Sequence, residues 1–481
     1  LRHLLAAGLA CLLGAATPGP APAAGLADTR ALREAVAIEG VAAHLEALEA
    51  IARANAGNRA AGTPGYDASA DYVAGRLRAA GYEVTEQGFD FPVFEEVAPP
   101  VLEAGGVAPA EGSVRTLRGS ASGAVRAPLV PVDLGLAPGA PPGTSTSGCE
   151  AEDFRGFPAG AVALLRRGTC PFQAKAANAA AAGAAAVVIF NSGQPGAEGP
   201  FSGRLSSPVP VPVLALDFPG GAALAEAAAR APAGGVAARV ETRTRGGMVR
   251  TRNVIAELPT GDPARVVLVG AHLDSVPAGP GINDNGTGVA AALEIALRLA
   301  ELRPPTPNRV RFAFWGAEEL GLLGSRRYVD GLSREEAGRI RAVLNLDMLG
   351  SPNFGRFVYD GDGSEAGRPG PAGSGEIERI LLDYFAAVGL PARSIDIAGG
   401  SDHAPFMARG VPAGGLYAGA GERKADSSAQ MFGGRAGLLY DPCYHQACDT
   451  LANVSRRALE DLADAAAHGT MALALEPDTG P

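Results

Sequence analysis

Lysine is nearly missing from this chain. Among 481 residues it occurs only at Lys175 and Lys424, and arginine supplies almost all of the cationic side chains. The net charge is -10, with no basic run and no polybasic tail. A protein that neutralises phosphates needs a cationic face, so nucleic acid is excluded as a partner. Aromatic residues are also sparse, at 5%, while Ala, Gly and Pro abound; this bias reads as genomic rather than functional. Past the first residues no apolar run reaches the ~18 residues that span a bilayer, which excludes a membrane-embedded chain. Cysteine is limited to five positions.

The start of the chain resembles a targeting segment. Arg2 and His3 form a short polar start, Leu4 to Ala16 an apolar stretch, and Ala21-Pro22-Ala23 a small-residue cleavage pattern. Residues 1–24 are therefore expected to be a signal peptide, and the protein to be secreted, extracellular or periplasmic. Cys11 falls inside this leader, leaving Cys149, Cys170, Cys443 and Cys448. An even count in an exported chain fits two disulfides, and Cys149 with Cys170 and Cys443 with Cys448 are the local pairs among three connectivities.

Helical spacing marks His44–Arg53 and Ala68–Ala80, with Thr63-Pro64-Gly65 turning between them and a strand-like Glu83–Phe91 after them. From about Ala98 the texture changes to short apolar runs punctuated by Pro and Gly: Ala161–Leu165, Ala184–Phe190 and Val209–Ala215 read as strands, Phe172–Ala182 as a helix. Near Asn253 longer alternation resumes, with strands Arg265–Val269, Val310–Trp315, Ala342–Met348 and Val411–Leu416 and helices Val289–Leu302 and Ile377–Ala387. The fold class expected is α/β, a mixed twisted sheet with helices on both faces, plus an inserted smaller β-rich domain. The boundaries are 25–97 and 248–481 for the main domain and 98–247 for the insert.

The residues that carry chemistry sit at strand ends, where open α/β sheets place their ligands. In Ala271-His272-Leu273-Asp274, the His and Asp point the same way two residues apart, so an imidazole can bind metal beside a carboxylate that fixes its tautomer. Gly281-Ile282-Asn283-Asp284-Asn285-Gly286 leads into a helix, and its glycines allow the tight backbone that brings Asp284 beside His272. A capping turn and a glycosylation acceptor, Asn285-Gly286-Thr287, compete with that reading. Glu318-Glu319 diverge from one another, so one can be a ligand and the other a base, the division that metal-assisted hydrolysis needs. Asp347 ends an apolar strand, where a charge is costly unless paired or bound to a cation. For a further ligand the residues themselves leave two candidates, His403 and His445.

In that order, His272-x-Asp274, Asp284, Glu318-Glu319, Asp347 and His445 resemble the exported di-zinc aminopeptidases of the aminopeptidase S and aminopeptidase Y type, from about Asn253 to Ala467. The resemblance implies two zinc ions, one bound by His272 and Asp347 and the other by Glu319 and His445, with Asp284 bridging. It gives Glu318 as general base, Asp274 as the residue that orients the His, and Tyr444 as a stabiliser of the tetrahedral intermediate. His403 becomes a structural residue supporting the site. Ser147-Gly148-Cys149 through Arg167-Gly168-Thr169-Cys170-Pro171-Phe172 to Asn191 is similar to a protease-associated (PA) domain, which names the insert. Peptides with free N-termini and an apolar first residue are the implied substrates, and the protein is expected to act as a monomer. Gly399-Gly400 is small where some relatives carry larger residues, so substrate contacts there do not carry over. The rivals are a carboxypeptidase-type hydrolase or a single-zinc glutaminyl cyclase on the same scaffold, and a binding protein that has lost the chemistry.

Overall fold

The structure, a computed structural model, describes residues 28–106, 109–135, 145–231 and 235–477. The expected leader, 1–24, and Cys11 lie outside the described residues. Two compact units form: residues up to Phe89 together with those from Arg250 on, and Asp90–Val249. Among the described residues no helix is long and apolar enough to cross a membrane.

In the first unit the central strands are short, near-continuous apolar runs, as a sheet buried on both faces requires. Its strands lie in the order Arg393–Asp396, Phe357–Asp360, Ala413–Tyr417, Ile340–Leu346, Asp262–His272, Asn308–Trp315 and the C-terminal part of Val236–Glu257. The four strands from Ala413–Tyr417 to Asn308–Trp315 are mutually parallel, while Phe357–Asp360 and Val236–Glu257 join antiparallel at either side. Alternate residues serve two cores. Val267, Val269, Phe312, Phe314 and Leu344 face helices Ile38–Ala54, Thr287–Leu302 and Arg456–Leu475; Leu268, Ala313, Trp315 and Val343 face Tyr328, Val329 and Phe406 on the other side.

The chain passes from Asp262–His272 to Asn308–Trp315 on one side, then crosses to Ile340–Leu346 on the other. Such a reversal of strand order opens a crevice at the carboxyl ends, where doubly wound sheets bind their ligands. The sheet thus decides where a site can be before any side chain is considered.

In the second unit Gly123–Pro131, Val162–Arg166, Ala186–Phe190 and Val213–Leu216 run parallel, with Val114–Thr116 and the N-terminal part of Val236–Glu257 antiparallel at the two sides. Helices Phe172–Ala181 and Phe218–Arg230 accompany the sheet, and Cys149–Cys170 is a disulfide.

Several elements differ from the sequence reading. The strand read as Glu83–Phe91 runs on to Ala104, through Pro92, Pro99 and Pro100. It lies off the main strand order and pairs with Val236–Glu257, and a strand at the edge of a sheet tolerates residues that cannot donate. The short strands Phe357–Asp360 and Arg393–Asp396 and the long helix Arg456–Leu475 were not marked by the sequence. The helix is Ala-rich, and its period shows only against the core it covers, where Leu459, Leu462, Ala466 and Leu473 are buried.

That helix also buries His468, whose Nδ1 lies 2.8 Å from Thr29 Oγ1 and whose ring stacks on Tyr384 at 4.7 Å. Burial, aided by the Arg33 charge and opposed by Asp464 and Asp383, lowers its pKa to about 4. The unfolded chain takes up that proton near the ordinary pKa of about 6.5, so stability is full above this value and is lost as pH falls toward 4. Urea titrations of the wild type should lose about 3 kcal/mol more between pH 7 and 4 than those of His468→Gln. Parallel pH profiles for the two proteins would remove His468 from the acid response.

Candidate metal centre

His272 closes strand Asp262–His272, Glu318 and Glu319 follow Trp315, and Asp347 follows Leu346, so three neighbouring strands deliver their side chains to one end of the sheet. Asp284 enters from the irregular turn Ile282–Gly286, before helix Thr287–Leu302. The Asp284–Asn285 peptide is cis. Asp449 accepts the N–H groups of Asn283 at 2.8 Å and Asp284 at 3.0 Å, and Asn285 donates to Leu346 O at 2.8 Å. Asn285 is fully buried, which rules out the glycosylation reading. Gly281 adopts φ +61°, and a Cβ there would lie 2.3 Å from Asp284 O; the tight turn therefore requires this glycine.

Two groups of side chains able to hold a metal ion share Asp284: His272 with Asp347, and Glu319 with His445. His272 Nε2 lies 3.2 Å from Asp284 Oδ1 and 3.4 Å from Asp347 Oδ1; His445 Nε2 lies 3.1 Å from Asp284 Oδ2 and 3.1 Å from Glu319 Oε2. A tetrahedral zinc site with bonds of about 2.0–2.1 Å puts adjacent ligand atoms about 3.3 Å apart. Each imidazole faces a different oxygen of the shared carboxylate at that spacing. Asp347 Oδ1 and Glu319 Oε1 are buried and accept no hydrogen bond, a costly state for an anion without a cation beside it. The residues present fit zinc.

The tautomer of His272 is set by the backbone. Its Nδ1 lies 3.0 Å from the carbonyl oxygen of Asp274, which can only accept, so Nδ1 carries the proton and Nε2 is free toward the ligands. The Asp274 carboxylate stands farther from the ring, at 3.8 Å, and instead accepts the N–H of Glu318 at 3.0 Å and of Glu319 at 3.3 Å. The geometry therefore gives this side chain a second task beyond the ring: it sets the turn that carries both glutamates. Removing it in Asp274→Ala should cost about 10–100-fold in zinc affinity or turnover. Equilibrium zinc titration and steady-state kinetics check this, and a change under threefold in both would refute it.

Sequence reasoning passed over Asp449, Asn345 and Ser401. Ser401 Oγ donates to Asp347 Oδ2 at 2.5 Å and accepts from Asn345 Nδ2 at 2.8 Å, which leaves Oδ1 as the face of Asp347 free for a cation. Nothing in a one-dimensional reading ties residue 345 to residue 401. His403 is turned elsewhere: its Nε2 donates to Ile397 O at 2.7 Å and its ring packs 4.6 Å from Tyr359. It does so while lining the cavity.

His445 sits in the Cys443–Cys448 disulfide loop with φ +58°, stacked on Tyr444 at 3.8 Å. Ala317, Leu322 and Met348 are likewise non-glycine residues in the left-handed region beside the ligands. Each such residue costs on the order of 1–3 kcal/mol, and strain of this kind persists where surrounding structure enforces it. The centre opens into a cavity of about 940 Å³.

Crowding of acids dominates the electrostatics. Burial pushes Glu318 well above the carboxylate range, against His272 and with Asp402, Asp347 and Glu319. Burial and Asp284 raise Glu319 to about 7, and burial raises Asp402 to about 7. Burial opposes protonation of His445, but its hydrogen bonds to Asp284 and Glu319 prevail and raise it to about 10. So much buried negative charge calls for cations. The other acidic cluster, Asp360, Asp362 and Glu378, differs: Asp360 accepts four backbone N–H groups, and Glu378 accepts two together with the Ser394 hydroxyl. These acids hold a loop.

Residues 253–470 match peptidase family M28, and residues 125–224 match the PA domain. An aminopeptidase of Pseudomonas aeruginosa is 48% identical over 443 residues, covering 90% of this chain and 80% of the relative. Leucine aminopeptidase 2 of Trichophyton tonsurans is 36% identical, covering 89% of this chain and 82% of the relative. A zinc aminopeptidase of known structure from Bacillus subtilis, 26% identical, superposes with a TM-score of 0.61 over 92% of this chain and 96% of its own. The chain belongs to peptidase family M28 and is a metallo-aminopeptidase that carries a PA domain.

Proposed function

We propose that this aminopeptidase holds two zinc ions, one through His272 and Asp347 and one through Glu319 and His445, with Asp284 shared, and releases apolar, Leu-like residues from peptide N-termini. The observation that carries this reading is the placement of the two imidazoles on opposite oxygens of Asp284 at 3.2 and 3.1 Å. When bound, zinc supplies Lewis acidity to the scissile carbonyl and to water. The protein's own groups do the rest. Glu318, the one carboxylate of the pair not facing His445, takes the proton of the attacking water and delivers it to the leaving amine. Its backbone is fixed for this by Asp274. Tyr444, in the cavity wall, donates its hydroxyl to the oxygen that becomes negative; burial raises its pKa, so it keeps that proton.

Selection for a free N-terminus is part of the same reading: a substrate ammonium entering the cavity meets Glu318, a carboxyl that this reading leaves off the metals, whereas an acetylated amine brings no compensating charge. Met348, Tyr359, Ile395 and Tyr417 give the cavity its apolar wall, and the leucine aminopeptidase relative supports a preference for Leu-like residues. The catalytic domain is residues 25–97 with 248–481, and 98–247 is the inserted PA domain, a division supported by the compact unit Asp90–Val249. The protein acts as an exported monomer; the disulfides Cys149–Cys170 and Cys443–Cys448 support an oxidising compartment.

A panel of aminoacyl anilides, free and N-acetylated, tests the reading. Leucine anilide should be turned over fastest, and acetylation should abolish cleavage. Cleavage of acetylated substrates at comparable rates would overturn it.

A further inference from the structure

We propose that Arg59 is a positioning residue of the metal centre: its guanidinium gathers the carbonyls of Leu273, Pro280 and Gly281 and thereby fixes the spacing of His272, Asp284 and His445. The inference rests on the metal-centre reading above.

Arg59 lies between helices Ile38–Ala54 and Pro64–Ala79 and is fully buried. Its Nε donates to Pro280 O at 2.9 Å, Nη2 to Gly281 O at 2.6 Å, and Nη1 to Leu273 O. Its backbone N–H donates to Ser275 Oγ at 2.9 Å, and Ser275 N returns a bond to Arg59 O at 3.3 Å. The side chain therefore closes the segment 273–281 on itself. Leu273 follows the ligand His272, and Gly281 stands three residues before the ligand Asp284.

The closed segment has no slack. A Cβ on Gly281 would meet Ser275 Cβ at 2.5 Å, and a Cβ on Gly279 would meet Gln446 O at 2.1 Å, directly after His445. A shift of the segment is thus passed to ligands on both sides of the shared carboxylate.

The choice of a cation for this staple also bears on the centre. Carbonyl dipoles are its hydrogen-bond partners, and the charges that face it are Asp274, Asp449 and Asp284. Burial lowers its pKa only to about 10, so it stays charged at neutral pH. A neutral donor could hold one loop carbonyl. A planar fork with five N–H groups holds three at fixed angles and sets a positive charge behind the acidic ligands.

The test is zinc binding at equilibrium, by competition with a chromophoric chelator, for the full chain and for Arg59→Lys and Arg59→Met. Arg311→Met, which breaks an arginine pairing with Glu257 and Tyr328 away from the ligands, serves as the stability control. Both Arg59 variants should show zinc dissociation constants raised about 10–100-fold, the range for residues behind metal ligands. Their kcat should fall with KM for leucine anilide unchanged within about threefold, and added zinc should restore part of the Lys variant's turnover but not shift the control. Wild-type zinc affinity in folded Arg59 variants would overturn the inference. If neither folds, Ser275→Ala, which removes the hydroxyl that accepts the Arg59 N–H and donates to Gly279 O, decides it: weaker zinc binding supports the role and unchanged binding refutes it. A wild-type chain that binds no zinc would instead sink the metal-centre reading itself.

Discussion

Glu318→Gln is expected to lower kcat on leucine anilide about 10³-fold while leaving KM within about threefold and zinc content unchanged. The magnitude is the mid-range contribution of a positioned general base, about 10²–10⁴-fold. The separation of effects comes from geometry. Glu319, not Glu318, faces His445, so the glutamine variant keeps the ligand set. The turn is held through backbone N–H groups of both residues by Asp274, so the backbone keeps its place. The amide is nearly isosteric but cannot take a proton. Steady-state kinetics with metal analysis on the same sample checks this; turnover within tenfold of wild type would remove Glu318 as the base.

Exhaustive chelation should abolish activity, zinc should restore it, and Asp284→Ala should fail to regain a full complement of two ions. Asp284 is singled out because each of its oxygens faces a different imidazole, so its loss weakens both ligand sets, whereas Asp347→Ala or Glu319→Ala touches one. Removal of metal should also lower the melting temperature. Ligand present at 100 times its dissociation constant stabilises a fold by about 2.7 kcal/mol, and here the protein–metal contacts also relieve repulsion among buried carboxylates. Activity that persists after metal analysis reads zero, or an Asp284→Ala protein with two tightly bound ions, would contradict the assignment.

Much of the proposed centre was legible in one dimension because His272, Glu318-Glu319 and Asp347 come from strand ends. A short apolar strand ends where a titratable residue stops the run, and His272, Glu318-Glu319 and Asp347 each mark such a point in the sequence. The groups that orient them were not legible. Ser401 bonds to Asp347, Asp449 to the backbone of Asp284, and Arg59 to the segment 273–281, across separations of 54, 165 and 214–222 residues. A serine, an aspartate or an arginine in a loop gives no periodic signal, because its partner is a backbone atom or side chain brought near only by folding.

The sequence alone determined the parallel strands at the centre of the catalytic sheet, the insert of different texture and the acids and imidazoles available for chemistry. These depend on local pattern and composition, which a chain carries before it folds. Tertiary structure decided that the backbone carbonyl of Asp274 fixes the His272 tautomer, that the Asp274 carboxylate holds the glutamate turn, and that His445 faces the ligands while His403 turns to Ile397. Hydrogen-bond direction and the oxygen that a carboxylate presents are set over a few tenths of an ångström by neighbours distant in sequence, and only the packed chain fixes those distances.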